Sequence, residues 1–474
     1  MKRPTSSERS SERPRGQRGQ RAQRGNTSRD SSRSPYAKQG RRRPSGPAQP
    51  DRKQRYSRDR SRPVQHEDIV QARYVAVVEP EGIDQWEFSD LGLDPRIVSA
   101  LSARGIQRPF PIQAATIPDA IAGRNILARA QTGSGKTLAY GAPLITRLQT
   151  LSPSKERGRD ARALVLAPTR ELAEQIDSVI QPLARTVGLH TIALYGGVPL
   201  RKQLIGLGRG VDIIIATPGR LEDLVERGRV DLAKIRITVV DEADHMCELG
   251  FREPLARILG QVDPRGQRLL YSATLDEEVA NLVDRFVPEP VVHEAMSTEA
   301  TGTIDHEVLL VDPRGKTDIV GEIARINPGR TVVFTRTRHG ASELSDSLND
   351  SGIPSTCLHG DLNQAQRRRN LAALTDGRVR VLVATDVAAR GLDVDGVTLV
   401  VQADPPEDHK SYIHRAGRTG RAGSDGVVVT LSTERGRRRV SDMLRKAGVH
   451  APMRQARVGD ALPEDIVAML SSHR

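Results

Sequence analysis

At 474 residues the chain is long enough for two or three domains, and its two cysteines, Cys247 and Cys357, offer neither a disulfide framework nor a zinc site. No apolar run approaches the roughly 18 residues of a membrane-spanning helix, and no hydrophobic stretch of a secretory signal follows the first charges, so a membrane role is excluded and a reducing, cytoplasmic setting is expected. The net charge of +13 is concentrated: residues 1–62 hold 20 basic and 5 acidic residues (+15), and the 52 basic and 54 acidic residues beyond them leave the rest at −2.

In chain order, residues 1–62 come first and contain no Leu, Ile, Val, Phe or Trp. Such a segment cannot bury enough apolar area to offset ordering entropy, so a disordered basic tail is expected over residues 1–75. A mitochondrial transit peptide has a similar composition but needs an apolar helix face, which is missing here. Of the 72 basic residues only 10 are lysines, a bias typical of GC-rich genomes and so of a bacterial source.

From Trp86 to Pro290 strands and helices alternate. NILARA, RALVLAP, HTIALYG, VDIIIATP, IRITVVDEAD and QRLLYSAT are short Val/Ile/Leu-rich runs, as buried parallel strands are. A small, polar stretch, Glu294–Thr303, reads as a linker. HEVLLVD, RTVVFTR, STCLHGD, VRVLVATD, VTLVVQAD and GVVVTLS then form a second set. The expected fold is α/β, with two tandem parallel sheets: a first domain over 76–297, a linker at 298–303, a second domain over 304–440, and a short extension over 441–474.

Two motifs on this background carry chemistry. AQTGSGKT at 130–137 lies between an apolar strand and a helix, and matches a phosphate-cradling loop. Its glycines, Gly133 and Gly135, let backbone N–H groups approach phosphate oxygens, with Thr132 and Ser134 beside them; Lys136 can reach the outer phosphates and Thr137 can face Mg²⁺. DEAD at 241–244 ends a strand. Asp241 is placed to hold Mg²⁺, partly through water, and Glu242 to polarise an attacking water as general base. Together they imply a site that binds a nucleoside triphosphate with Mg²⁺ and can hydrolyse it.

Taken together, the motifs of residues 88–433 resemble the DEAD-box ATP-dependent RNA helicases of bacterial type, in the order that family has them. They are GIQRPFPIQ (105–113), AQTGSGKT, PTREL (168–172), Gly196-Gly197, TPGR (217–220), DEAD, SAT (272–274), VVFTRTR (332–338), HGDLNQAQR (359–367), ATDVAARGLDV (384–394) and HRAGRTGR (414–421). The resemblance implies two RecA-like domains. It implies that Gln113 reads adenine, for which an amide suits because it donates and accepts at once, with Phe88 as an isolated aromatic nearby. It makes Arg418 and Arg421 arginine fingers, Asp393 a ribose contact, and Ser272 and Thr274 the coupler between nucleotide and nucleic acid. It assigns RNA backbone contacts to Arg170, Gly197, Thr217 and Arg220 on the first domain, and to Thr337, Gly360 and Thr385 on the second. These groups read sugar and phosphate, so little sequence preference is expected.

The chain departs from the family's pattern at Ile106, Phe110, Cys247 and Ala416, where an aromatic, Thr or Ser, Leu, and Ile are usual. The function implied is ATP hydrolysis coupled to local, non-processive separation of short RNA duplexes or to remodelling of ribonucleoproteins, with ribosome-assembly or RNA-decay partners. The alternatives are an ATP-gated RNA clamp or assembly scaffold, and a DNA helicase with two similar lobes. The Gln113 element and the DEAD spelling argue against the last.

Overall fold

The computed structural model describes residues 86–130, 133–151, 160–294, 303–389, 394, 396–420 and 424–472. The tail over 1–75 and three expected site residues, Thr132, Asp393 and Arg421, lie outside them.

The first lobe is a seven-stranded sheet: β1 (Ile126–Arg129), β2 (Ala163–Leu166), β3 (Thr191–Leu194), β4 (Ile213–Ala216), β5 (Ile237–Val240), β6 (Gln267–Ser272) and β7 (Val291–Glu294), in the order β3-β4-β2-β5-β6-β1-β7. The second lobe holds β8 (Ile304–Leu310), β9 (Arg330–Thr335), β10 (Ser355–Leu358), β11 (Val381–Thr385), β12 (Val397–Gln402), β13 (Gly426–Ser432) and β14 (Met453–Gln455), in the order β10-β11-β9-β12-β13-β8-β14. Every pairing in both sheets is parallel.

Continuous apolar runs form these strands because helices cover both faces. Successive side chains point to opposite faces of a strand. Thus Ala163 and Val165 of β2 enter one core with Ile213 and Ile215 of β4, while Leu164 and Leu166 enter the other with Ile214 and Ala216. In the second lobe Val381 and Val383 of β11 face one core, and Leu382 and Ala384 the other. Each fully buried aliphatic side chain contributes roughly 1.5–3 kcal/mol.

Two strands carry too weak a sequence signal to be expected. β7 is a two-valine run just after Pro288 and Pro290, and pairs with β1. β14 reads Met-Arg-Gln and has no apolar run. It is held at the sheet edge by β8, with Val308 N–H donating to the Pro452 carbonyl and Ala456 N–H to that of Leu310. The boundary expected at residue 440 falls inside the helix Arg437–Lys446. Leu462, Ile466 and Leu470 enter the second lobe's core. Residues 441–472 are therefore built into that lobe, because a parallel edge strand takes its place from the ladder and not from its own hydrophobicity.

With all strands parallel, each sheet gathers its strand-to-helix loops at one edge, where open α/β sheets place their ligands.

Candidate ATP and RNA sites

The two sheets divide their carboxyl edges in the same way. In the first, β1, β6 and β5 are adjacent and carry the phosphate loop, Ser272 and the DEAD segment. β3, β4 and β2 are adjacent on the other side and are followed by Gly197, Thr217 with Arg220, and Arg170. In the second, β10, β11 and β9 are adjacent and lead to Gly360, Thr385 and Thr337.

Gly135 caps the helix Lys136–Thr150 in the left-handed region at φ +83°. A Cβ there would come within 2.7 Å of the Phe110 ring and collide with the Gln113 amide, so only glycine fits. Gln113 is buried in the helix Pro111–Ala122. Its Oε1 accepts from Phe110 N–H (2.9 Å) and its Nε2 donates to the Gly135 carbonyl (3.0 Å). The residue expected to read adenine therefore also ties its helix to the phosphate loop. Phe88 departs from its expected place: it is 2% exposed inside the first core and offers no open face to a base.

Lys136 is 6% exposed, and its buried Nζ has no hydrogen-bond partner. A buried ammonium without a partner is costly, and phosphate oxygens are of the chemistry that would relieve it. Across from it, Asp241 Oδ2 accepts a 2.9 Å hydrogen bond from the Tyr140 hydroxyl, and Asp241 Oδ1 accepts from Glu242 N–H (3.0 Å). Burial pushes the Asp241 carboxyl above its ordinary range, with Lys136 opposing it. Burial also works on Glu242, but the His245 hydrogen bond, Lys136 and Arg418 outweigh it and hold that carboxyl well below its usual range. His245 Nδ1 lies 3.2 Å from Glu242 Oε2.

Glu242 itself is left-handed (φ 49°, ψ 57°), one of two non-glycine residues with positive φ among those described. Such strain costs of order 1–3 kcal/mol and persists where the surroundings over-determine it. Here Asp241 Oδ1 accepts from the Glu242 N–H, and His245 lies against the Glu242 carboxylate. Among the described residues no group of three or more His, Cys, Asp or Glu could hold a metal. A site for Mg²⁺ would need only Asp241 and Thr137 from the protein, because Mg²⁺ keeps its waters and takes substrate phosphates.

The last DEAD residue reaches the SAT segment. Asp244 Oδ2 accepts from Thr274 N–H (2.9 Å) and Thr274 Oγ1 (3.0 Å), while Asp244 N–H donates to Ser272 Oγ (3.2 Å). Asp244 thus ties Ser272 and Thr274 to the DEAD segment.

On the neighbouring strip, Gly197 (φ +79°) allows the Arg170 guanidinium to close on it; a Cβ would come 2.7 Å from Cζ. Arg220 donates to Gln203 Oε1 (2.7 Å), and Gln203 donates to the Tyr195 carbonyl (2.9 Å). On the second lobe Thr337 Oγ1 caps the helix Arg338–Asp350 by accepting from Gly340 N–H (3.0 Å), Gly360 lies against Arg338, and Thr385 is buried at the end of β11.

The lobes meet through ion pairs. Glu171 Oε1 accepts from Arg367 Nε (2.7 Å) and Gln364 Nε2 (3.3 Å), all buried. Arg368 Nε donates to Glu174 (3.1 Å) and its Nη2 to the Tyr195 hydroxyl (2.8 Å). Lys410 Nζ donates to Asp276 (2.9 Å), and His414 Nε2 lies 3.9 Å from Asp244 Oδ2. Arg418 is buried, donates through Nε to the His414 carbonyl (3.2 Å), and is near enough to Glu242 to lower its pKa. Arg415 is structural: it grips the Asp386 carboxylate at 2.5 and 2.7 Å, donates to the Asp404 carbonyl and covers the Phe334 ring.

Comparison with known proteins agrees with this geometry. Residues 110–282 match the family model for the DEAD/DEAH box helicase, and residues 315–423 the model for the helicase conserved C-terminal domain. A DEAD-box ATP-dependent RNA helicase CshA of Geobacillus kaustophilus is 38% identical over 350 residues, 73% of this chain and 74% of that protein. The chain belongs to the DEAD/DEAH box helicase family. The mitochondrial DEAD-box ATP-dependent RNA helicase 9 of Arabidopsis thaliana is 39% identical over 74% of this chain and 58% of its own length. The chain thus spans little more than half of that plant relative. Among solved structures, S. cerevisiae Dbp5 bound to RNA and ADP BeF3 is 28% identical with a TM-score of 0.71, over 81% of this chain and 98% of that one. Mss116p bound to ssRNA and AMP-PNP is 26% identical, also at 0.71, over 83% of each. The two lobes are the tandem RecA-like domains of this family.

Tyr140, Asp244, His245, Gln203 and the Glu171–Arg367 pair escaped the sequence reading. Tyr140 had a signal: it stands one turn after Lys136 on the same helix. The other contacts join residues 17 to 196 positions apart or depend on the turn at Glu242, and carry no local pattern.

Proposed function

We propose that the chain is an ATP-dependent RNA helicase that separates short duplexes locally and non-processively. One observation carries the reading: the buried Lys136 Nζ, without a hydrogen-bond partner, faces the Asp241–Glu242 pair, and Arg418 of the other lobe is near enough to Glu242 to lower its pKa. Lys136 would hold the outer phosphates, Gln113 the base and Asp393 the ribose, with Phe88 backing the pocket from the core. Thr137 and Asp241 would hold Mg²⁺, which when bound supplies charge neutralisation at the phosphates. Glu242, kept ionised, would accept the proton of the attacking water. Arg418 and Arg421 would stabilise charge at the transferring phosphoryl group, a contribution worth roughly 10³–10⁵ in rate in other enzymes. Thr132, Gly133, Ser134 and Gly135 would supply loop contacts.

The RNA strand would lie along the two strips, on Arg170, Gly197, Thr217 and Arg220 of one lobe and Thr337, Gly360 and Thr385 of the other. Asp244 with Ser272 and Thr274 would report nucleotide occupancy to it. The solved complexes of Dbp5 and Mss116p with RNA and nucleotide support this reading. The free cysteines Cys247 and Cys357 suit a reducing, cytoplasmic compartment, and no described helix is long and apolar enough to cross a membrane. RNA crosslinking in cells would identify the ribonucleoprotein, ribosome-assembly or RNA-decay partners.

The test is ATP turnover with and without single-stranded RNA, beside release of a short duplex strand. RNA-stimulated turnover with strand release is expected. Turnover indifferent to RNA would overturn the reading. The ion pairs across the lobes favour one alternative, an ATP-gated clamp, which would hold RNA and hydrolyse ATP without releasing the duplex strand.

A further inference from the structure

A second basic surface lies outside every motif above. Residues 434–457 contain 8 basic and 2 acidic residues, a local charge of +6, in a body (63–474) that carries only −2 overall. The turn after β13 and the helix Arg437–Lys446 expose arginines while Val440, Met443 and Leu444 fix the helix to the core. Together with residues 449–453 they border an open cleft of about 980 Å³ lined by Arg435, Arg437, Arg438, Arg445 and His450. The two carboxylates of the segment are already engaged: Glu434 by Arg437 (3.3 Å) and Gln455 (2.9 Å), Asp442 by Arg445 (2.9 Å). Arg435 and Arg438 have no hydrogen-bond or ion-pair partner among the described residues.

A solvated arginine face is the ordinary state of a surface helix. This one differs in forming a concave wall, in having its acids neutralised, and in its place on the sheet. The turn at Glu434–Gly436 follows the carboxyl end of β13, which lies two, three and four strands from β9, β11 and β10. At about 4.8 Å per strand it is roughly 10–20 Å along the same edge from Thr337, Thr385 and Gly360. A strand of nucleic acid leaving those residues need run only a few nucleotides to reach it. Planar guanidinium forks suit phosphate oxygens.

We propose that this cleft is an accessory phosphate-binding site that grips the RNA backbone beyond the segment held by the two strips. The inference rests on the reading that Thr337, Gly360 and Thr385 contact RNA. It assigns Arg435, Arg438 and Arg445 the phosphate contacts, with no part in ATP hydrolysis.

The experiment compares the full chain with the triple variant Arg435→Ala, Arg438→Ala, Arg445→Ala. All three residues are exposed and alanine is the best helix former, so an unchanged melting curve is expected. Affinity is measured by fluorescence anisotropy with AMP-PNP, across a salt series, for an oligouridine just long enough to stimulate turnover and for one about twice that length. The proposal expects unchanged affinity for the short strand, weaker binding of the long one, and a salt slope for the long strand flatter by about 2, since each lost contact to a single strand removes about 0.7. RNA-saturated kcat should hold. Equal affinity and slope for the long strand in both proteins would overturn the proposal. So would displacement of no RNA by the change together with loss of polyglutamate binding, which would assign the cleft to an acidic protein. If the unaltered chain binds neither strand, the failure lies in the reading of the strips.

Discussion

At the scale of residues, the nucleotide site depends on a few side chains held by others. Lys136→Ala and Glu242→Gln should both abolish turnover, by different routes. The first removes a phosphate contact and should weaken ATP binding; the second leaves Lys136 and Asp241 in place and should accumulate a nucleotide–RNA complex. Fluorescent-nucleotide titration separates them, and equal weakening in both would contradict the roles. Tyr140 is a positioning residue, because its hydroxyl fixes Asp241 Oδ2 at 2.9 Å. Tyr140→Phe deletes only that hydrogen bond, worth about 1.5–3 kcal/mol when the acceptor is charged. The expected result is a several-fold rise in the Mg²⁺ concentration for half-maximal turnover with little change in saturating kcat. A lower kcat at unchanged Mg²⁺ dependence would refute that role.

At the scale of elements, the helices Arg170–Thr186 and Gln364–Thr375 form the joint between the lobes. Glu171 and Arg367 are both buried in it, and Glu174, one turn after Glu171, pairs with Arg368, the residue next to Arg367, in a more exposed position. Removing one partner of a buried pair leaves an uncompensated charge and costs about 3–5 kcal/mol, whereas exposed pairs contribute about 1 kcal/mol or less. Arg367→Ala should therefore weaken RNA binding with AMP-PNP roughly a hundredfold or more, and Arg368→Ala only a few-fold. A double-mutant cycle with Glu171→Gln checks that the loss belongs to the pair; additive losses would mean that Arg367 acts elsewhere.

His414 adds a pH dependence to the same joint. Burial lowers its pKa below the ordinary 6.5; Asp244 and Glu248 oppose this, and Arg418 and His245 reinforce it. Above pH 6.5 the imidazole is neutral whether or not the lobes are closed, and closure carries no proton cost. As pH falls below 6.5, open lobes would expose His414 to a proton that the closed form resists, so closure weakens. RNA affinity with AMP-PNP should fall from about pH 7.5 to 5.5, and His414→Asn should flatten that fall. An unchanged profile in the variant would remove His414 from the effect.

At the scale of the whole molecule, the charge of residues 1–62 stands apart from the near-neutral remainder. A basic chain binds polyanions by counterion release, so deleting 1–62 should weaken RNA binding most at low salt and flatten its salt dependence, while saturating turnover holds. A loss of five contacts to single-stranded RNA would flatten the slope by about 3–4. An unchanged slope would leave the segment a solubilising tail.

Two α/β sheets were legible in the sequence, because buried parallel strands need continuous Val/Ile/Leu runs, and so were the phosphate loop and DEAD segment, because their chemistry demands glycines, a lysine and carboxylates at fixed spacing. The sequence could not show β7 or β14, whose places come from pairing with β1 and β8 and not from their own residues. Nor could it show that Gln113 is tied to Gly135, that Phe88 is a core residue, or that Tyr140 and His245 hold the carboxylates of Asp241 and Glu242. The joint of Glu171 with Arg367, 196 positions apart, was equally hidden. Periodicity and motif spacing record what a residue needs from its near neighbours. Hydrogen bonds and ion pairs between distant segments exist only once the two sheets have set their loops side by side, and tertiary structure alone decides them.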